Sequence, residues 1–109
     1  EPKWFTTAPA KALPKAFANA GISKNEVDYY ELNEAFSVVG LANIKILGLD
    51  AEKVNINGGA VSLGHPLGMS GTRLLLTAAR QLQESSKRYA LVTMCIGVGQ
   101  GYATILERT

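Results

Sequence analysis

The chain has 109 residues, 47% of them hydrophobic, which is enough for one domain with a core and too few for two. Eleven Lys and Arg against nine Asp and Glu give a formal charge of +2, scattered along the chain without a block, so nothing points to nucleic acid or a membrane surface as a partner. Cys95 is the one cysteine and His65 the one histidine, which excludes an internal disulfide, a CxxC metal site and a zinc site built from these two alone.

Thr7 can cap a helix in which Leu13, Ala16, Phe17 and Ala20 recur at helical spacing. Pro14 weakens its early turns, and Gly21 suits the left-handed residue just past its end. Ser23 and Glu26 fit a capping box for a single turn, and Val27 to Leu32 reads as a short strand leading into Asn33. The apolar residues Ala35, Val38, Val39, Ala42 and Ile46 mark one face of a helix from Glu34 to Leu47, ended by Gly48. Val54 and Ile56 alternate with Asn55 and Asn57 as a brief strand, after which the stretch from Gly58 to Gly71 holds too much glycine for any regular element. Ser70 can cap the next helix, whose Leu75, Ala78, Ala79 and Leu82 repeat on one face before Ser85, Ser86 and Lys87 end it. Tyr89 to Ile96 is a near-continuous apolar run, far shorter than a membrane span and patterned like a strand covered on both faces. Gly97 to Gly101 joins it to a neighbouring strand, Tyr102 to Leu106. This order predicts a single α/β domain over residues 1–109, a mixed sheet flanked by helices that ends in an antiparallel hairpin. A start at Glu1 without Met and without a signal segment suggests a soluble chain, processed or cut from something longer.

Eight of the eleven glycines fall in two loops, Gly58 to Gly71 and Gly97 to Gly101, and each loop lies beside a reactive side chain, His65 in one and Cys95 before the other. Glycine lets backbone N–H groups approach a ligand closely. Asn33 stands at a strand end, and strand-end and loop positions of an open α/β sheet converge in one crevice. Each residue also has a structural reading. His65 can be a satisfied structural histidine, Cys95 a small hydrophobe at a strand end, Asn33 a helix cap, and Glu34 a first-turn residue answering the helix dipole. Neither glycine loop fits GxxxxGK[ST] or GxGxxG, so nucleotide-binding loops of those types are not expected. A histidine, a cysteine and an asparagine beside glycine loops suggest acyl transfer or proton abstraction, and spacing alone goes no further.

Asn33-Glu34-Ala35-Phe36, then Asn57-Gly58-Gly59-Ala60 running into Gly64-His65-Pro66-Leu67-Gly68-Met69-Ser70-Gly71, then Cys95-Ile96-Gly97 with Gly99-Gln100-Gly101, resemble the three C-terminal motifs of thiolases, in the same order. Glu31 to Gly71 is especially similar to the acetoacetyl-CoA thiolases, or acetyl-CoA C-acetyltransferases, while Val98 stands where the family usually has glycine.

The resemblance implies the C-terminal half of a thiolase, with the nucleophilic cysteine supplied by an N-terminal half. His65 would help form that thiolate, and Cys95 would be the second thiol, removing an α-proton from acetyl-CoA. One oxyanion hole would combine His65 with a water held by Asn33, and the other would use the Gly97 N–H. Phe36 and Leu67, with Ala35 beside them, would shape the acyl pocket, and the Val61 carbonyl would help bind a potassium ion. No tightly bound cofactor is implied. The implied substrates are coenzyme A thioesters, acetyl-CoA and acetoacetyl-CoA, in a homodimer or homotetramer of either cytoplasmic or mitochondrial type. The first strand of this half, central in the sheet, would be missing, leaving two inner edges unpaired, so that the isolated chain is poorly stable or another segment fills the gap. Without the other half it would be inactive. Three other readings are a degradative 3-ketoacyl-CoA thiolase of broader chain length, a non-catalytic oligomerisation module of the same fold, and a self-contained Cys–His hydrolase with Cys95 as nucleophile.

Overall fold

The computed structural model describes all 109 residues. After a 3-10 segment (Pro2–Thr7), the chain runs α1 (Ala8–Ala20), β1 (Tyr29–Leu32), α2 (Ser37–Leu47), the one-turn helix α3 (Ala60–Leu63), α4 (Ser70–Ser85), β2 (Tyr89–Cys95) and β3 (Gly101–Glu107). The strands form one mixed sheet in the order β1-β2-β3. Strands β1 and β2 are parallel, with Tyr29 opposite Ala90 and Leu32 opposite Thr93. Strands β2 and β3 form an antiparallel hairpin from Tyr89–Glu107 to Cys95–Gly101.

Strand β2 explains why its sequence is apolar throughout. Side chains alternate across a strand, and both faces of this one are covered. Leu91 enters a core with Leu13 of α1, Leu32, Val27, Tyr30 and Leu49, while Ala90 and Val92 point the other way onto Leu74, Ala78 and Leu82 of α4. Each such leucine contributes roughly 1.5–3 kcal/mol by leaving water. Helix α1 therefore lies on one face of the sheet and α4 on the other.

Several expected boundaries are borne out. Gly21 and Gly48 end α1 and α2 in the left-handed conformation, at φ 67° and 58°. Ser23 and Glu26 form the reciprocal capping box. Pro14 sits inside α1 without ending it. Thr7 is at the cap position of α1 but donates its hydroxyl back to the Trp4 carbonyl instead of capping.

Other expectations are corrected. Helix α2 starts at Ser37, not Glu34, because Asn33 to Phe36 is non-helical chain that bends at Ala35 and Phe36, and the Glu34 carboxylate is engaged elsewhere. Asn33 is therefore not a helix cap. The strand expected over Val54 to Ile56 is reduced to one bridge, Tyr30 with Val54, since Asn55 takes a positive φ of 49° and cannot extend the run. Its side chain replaces the lost ladder by accepting from Leu32 N–H and donating to Leu32 C=O, each at 2.9 Å. The glycine stretch does contain a regular element, α3. Ser70 is the first residue of α4 and not its cap. The buried face of α4 is Leu74, Ala78, Gln81 and Leu82, which leaves Leu75 38% exposed.

The expected interior gap in the sheet is also corrected. The three strands are contiguous, with β1 bonded directly to β2 and β2 to β3, so no inner edge is left unpaired; the exposed edge belongs to β3.

Candidate active site

The parallel pairing of β1 with β2 brings their C-terminal ends together, and Asn33 N–H donates to Thr93 C=O at 2.9 Å, one step beyond the ladder. Asn33 is thereby fixed at the sheet's end, 2% exposed, with its side-chain oxygen buried and without a partner. Its amide nitrogen lies 3.4 Å from His65 Nε2, across 32 residues of sequence.

His65 is held from its other side. Pro66 C=O receives the N–H groups of Met69 and Ser70, closing the turn that starts α4, and also the Ser70 hydroxyl at 3.0 Å. The same hydroxyl oxygen is 2.6 Å from His65 Nδ1. Ser70 is fully buried and His65 partly so.

The loop before His65 is tied to β1 by Glu34. One carboxylate oxygen accepts from the Asn55 side chain at 2.8 Å and the other from Val61 N–H at 3.0 Å, at the start of α3. Asn55 in turn grips Leu32, so the strand end, the Asn33–Glu34 corner and the histidine loop form one braced unit. Neither Glu34 nor Ser70 was singled out by sequence for these contacts. The only signals were that both lie inside the motifs and that each is a polar residue at an expected helix start, Glu34 as a first-turn residue and Ser70 as a cap.

Cys95 is the last residue of β2, half-buried and free of any disulfide. The hairpin that follows is closed by Ile96 N–H to Gln100 C=O and Gln100 N–H to Gly97 C=O. Gly97 has a φ of 100°, and its own N–H is not used by this turn.

A cavity of about 470 Å³ is lined by His65, Cys95, Gly97, Ala35, Phe36 and Leu67, together with Phe5, Met94 and Ile96. Phe5 and Phe36 meet edge to face at 6.0 Å. Six of the eight residues singled out by sequence thus share one hollow, and Asn33 reaches it through His65. A hollow of similar size between α1 and β3, beside Lys11 and Lys15, holds no histidine, cysteine or carboxylate among its lining residues. The chemistry therefore converges on the first hollow. Phe5 was not expected there; it arrives because the 3-10 segment packs against α2.

Val61 stands apart from this cavity. It is exposed on α3 with its N–H committed to Glu34, and the chain contains no group of three or more His, Cys, Asp or Glu side chains able to hold a metal. A potassium ion is held by carbonyl, hydroxyl and water oxygens, of which the Val61 carbonyl would be one, and no step is derived through that ion.

Between β1 and α4 lies a buried carboxyl facing an arginine. Glu31, fully buried on β1, accepts from Gln81 at 3.0 Å and lies 3.9 Å from Arg73, both on α4. Burial pushes its carboxyl up to about 7, against the opposing pull of the Gln81 bond and the Arg73 charge.

Comparison with known proteins places this arrangement. The family profile described as thiolase, C-terminal domain, matches residues 1–108. Acetyl-CoA acetyltransferase 2 of Arabidopsis thaliana is 57% identical over 107 residues, covering 98% of this chain and 27% of that protein. The 3-oxoadipyl-CoA/3-oxo-5,6-dehydrosuberyl-CoA thiolase of Escherichia coli K12 is 53% identical over 110 residues, covering 99% and 27%. The crystal structure of human mitochondrial 3-ketoacyl-CoA thiolase superposes with a TM-score of 0.97 at 41% identity, covering all of this chain and 28% of that one. The chain thus spans about a quarter of the length of the relatives it matches. It belongs to the thiolase family, whose C-terminal domain it represents.

Proposed function

We propose that this chain is the C-terminal catalytic half of an acetyl-CoA C-acetyltransferase, which joins two acetyl-CoA into acetoacetyl-CoA and coenzyme A, reversibly. The observation that carries this reading is the single hollow holding His65, Cys95 and Gly97, with Asn33 against the imidazole.

In the first stage a cysteine from the N-terminal half attacks the thioester carbonyl of one acetyl-CoA, and His65 takes its thiol proton and keeps it as imidazolium, while the Cys95 thiol gives its own proton to the departing coenzyme A, which leaves as its thiol and leaves Cys95 as the thiolate. In the second, the Cys95 thiolate removes an α-proton from another acetyl-CoA. The carbanion attacks the acetyl-enzyme carbonyl, and the nucleophilic cysteine departs to give acetoacetyl-CoA. The enolate oxygen is stabilised by His65 and a water on Asn33, and the tetrahedral oxyanion by Gly97 N–H, each donor worth roughly 3 kcal/mol at the transition state. The unused N–H of Gly97 supports its assignment as a donor.

The lining favours a short apolar acyl group. Phe5, Ala35, Phe36, Leu67, Met94 and Ile96 surround His65, Cys95 and Gly97, and no Lys or Arg is present to match the second carboxylate of a 3-oxoadipyl substrate. Phe36 and Leu67 set the acyl pocket by contact. The degradative reading shares all the catalytic roles and differs only in acyl length. A homodimer or homotetramer of the full enzyme is the accompanying assembly.

The test is exchange of acetyl-CoA α-protons with deuterated solvent by the chain combined with an N-terminal thiolase half. Exchange that is lost in Cys95→Ser and retained when the N-terminal nucleophile is replaced by Ser supports the role of Cys95. Stable association of the halves with no exchange supports the non-catalytic module instead, and an acyl adduct trapped on Cys95 supports the hydrolase.

A further inference from the structure

We infer that Ser70 is a positioning residue that fixes the tautomer of His65, keeping the proton on Nδ1 and an open lone pair on Nε2, the nitrogen nearer Asn33. The inference rests on the thiolase reading only for its catalytic consequence; the tautomer itself follows from hydrogen bonds within this chain.

A serine hydroxyl has one proton to donate and can accept through oxygen. The Ser70 proton is committed to Pro66 C=O at 3.0 Å. The oxygen is also 2.6 Å from His65 Nδ1, and with its proton given to Pro66 C=O it accepts there, which assigns the hydrogen to Nδ1. Both partners are held in place. Ser70 is fully buried in the first turn of α4, and the Pro66 carbonyl is fixed by the Met69 and Ser70 N–H groups as well. The second nitrogen gives the same answer independently. The hydrogen-bonding partner of Nε2 is the Asn33 amide nitrogen at 3.4 Å, whose NH2 can only donate, which calls for a lone pair on Nε2. No carboxylate bonds to either ring nitrogen.

This tautomer lets one imidazole perform both of its proposed roles in sequence. The Nε2 lone pair accepts the thiol proton in the first stage. The resulting imidazolium then carries Nε2–H, which is the donor that a developing enolate oxygen needs. With the opposite tautomer, Nε2–H would be present from the start and the ring could not take the proton at the atom nearest Asn33. Ser70 accomplishes this with a neutral group, so the ring is oriented without a carboxylate.

The experiment is a long-range proton–nitrogen correlation spectrum of the imidazole at a pH where the ring is neutral. The 109-residue chain is labelled with nitrogen-15 and combined with an unlabelled N-terminal half, so that His65 gives the only imidazole signals. The expected result is a protonated-type nitrogen at δ1 and a pyridine-type nitrogen at ε2, moving toward the opposite assignment in Ser70→Ala. In the thiolysis assay, Ser70→Ala lowers kcat on the order of ten- to a hundredfold, with KM little changed. A wild-type ring with its proton on ε2 overturns the inference while leaving the thiolase reading intact. The expected tautomer in a protein without turnover would leave the inference standing and count against the thiolase reading.

Discussion

The carboxyl group of Glu34 lies against the bare Cα of Gly59, closer than any Cβ there would allow. That contact explains the glycine by packing rather than by backbone conformation, since Gly59 itself has an extended φ of −115°. The carboxylate cannot move aside freely, because Asn55 and Val61 N–H hold both of its oxygens.

Gly59→Ala forces the carboxylate out of this grip and is expected to destabilise the protein by about 1–3 kcal/mol. A lower urea midpoint at unchanged slope is the signature, with loss of activity because the loop carrying His65 shifts. Glu34→Gln keeps the shape but turns an NH2 toward one of two donors, and is expected to cost about 1–3 kcal/mol. Faster hydrogen exchange at the Val61 amide would locate the effect. An unchanged midpoint in both variants would remove Glu34 from its role as brace.

Stability is expected to fall as pH rises from the ordinary carboxylate range through about 7, because of Glu31. Burial raises its carboxyl from 4.5 to about 7 in the folded chain, so between those values the native state holds a proton that the unfolded chain has released. The contribution is complete below 4.5 and lost once pH passes about 7; the shift corresponds to on the order of 3 kcal/mol. Gln81, Arg73 and Glu34 are the groups acting on this carboxyl. Glu31→Gln imitates the protonated form and should flatten the profile in urea titrations taken across this window. An identical slope in the variant would assign the pH dependence elsewhere.

Val98 holds a φ of 50°, a left-handed conformation that a β-branched residue adopts only under strain. Val98→Gly is expected to stabilise the protein by about 0.5–1 kcal/mol, the relief of strain being partly offset by the greater freedom of glycine when unfolded. Because Val98 is exposed, no packing is lost. A raised Tm is the expected reading, and a lowered one would show that the side chain makes a contact outside this chain.

The regular elements were legible where a repeating apolar pattern coincided with a terminator, as in α1 before Gly21, α2 before Gly48 and β2 through its apolar run. Legibility failed where a side chain substitutes for backbone. Asn55 in positive φ replaces a strand with its own amide, and Glu34 draws the chain away from the helix that its apolar neighbours suggested. The membership of the hollow was legible from motifs in all but Phe5 and Met94 of its lining, since glycine loops and strand ends mark where an α/β sheet opens. The Ser70 contact was not, because a serine before a helix reads first as a cap and only three dimensions place its oxygen on the imidazole. The mixed sheet and its closing hairpin were legible, but the central place expected for an absent strand was not, because sequence separation carries no information on which neighbours a strand chooses.

The most direct test of the account is thiolysis of acetoacetyl-CoA by this chain combined with a thiolase N-terminal half, followed by the loss of the substrate's enolate absorbance. The account predicts turnover that disappears in both His65→Ala and Cys95→Ser. Turnover that survives either substitution would contradict it.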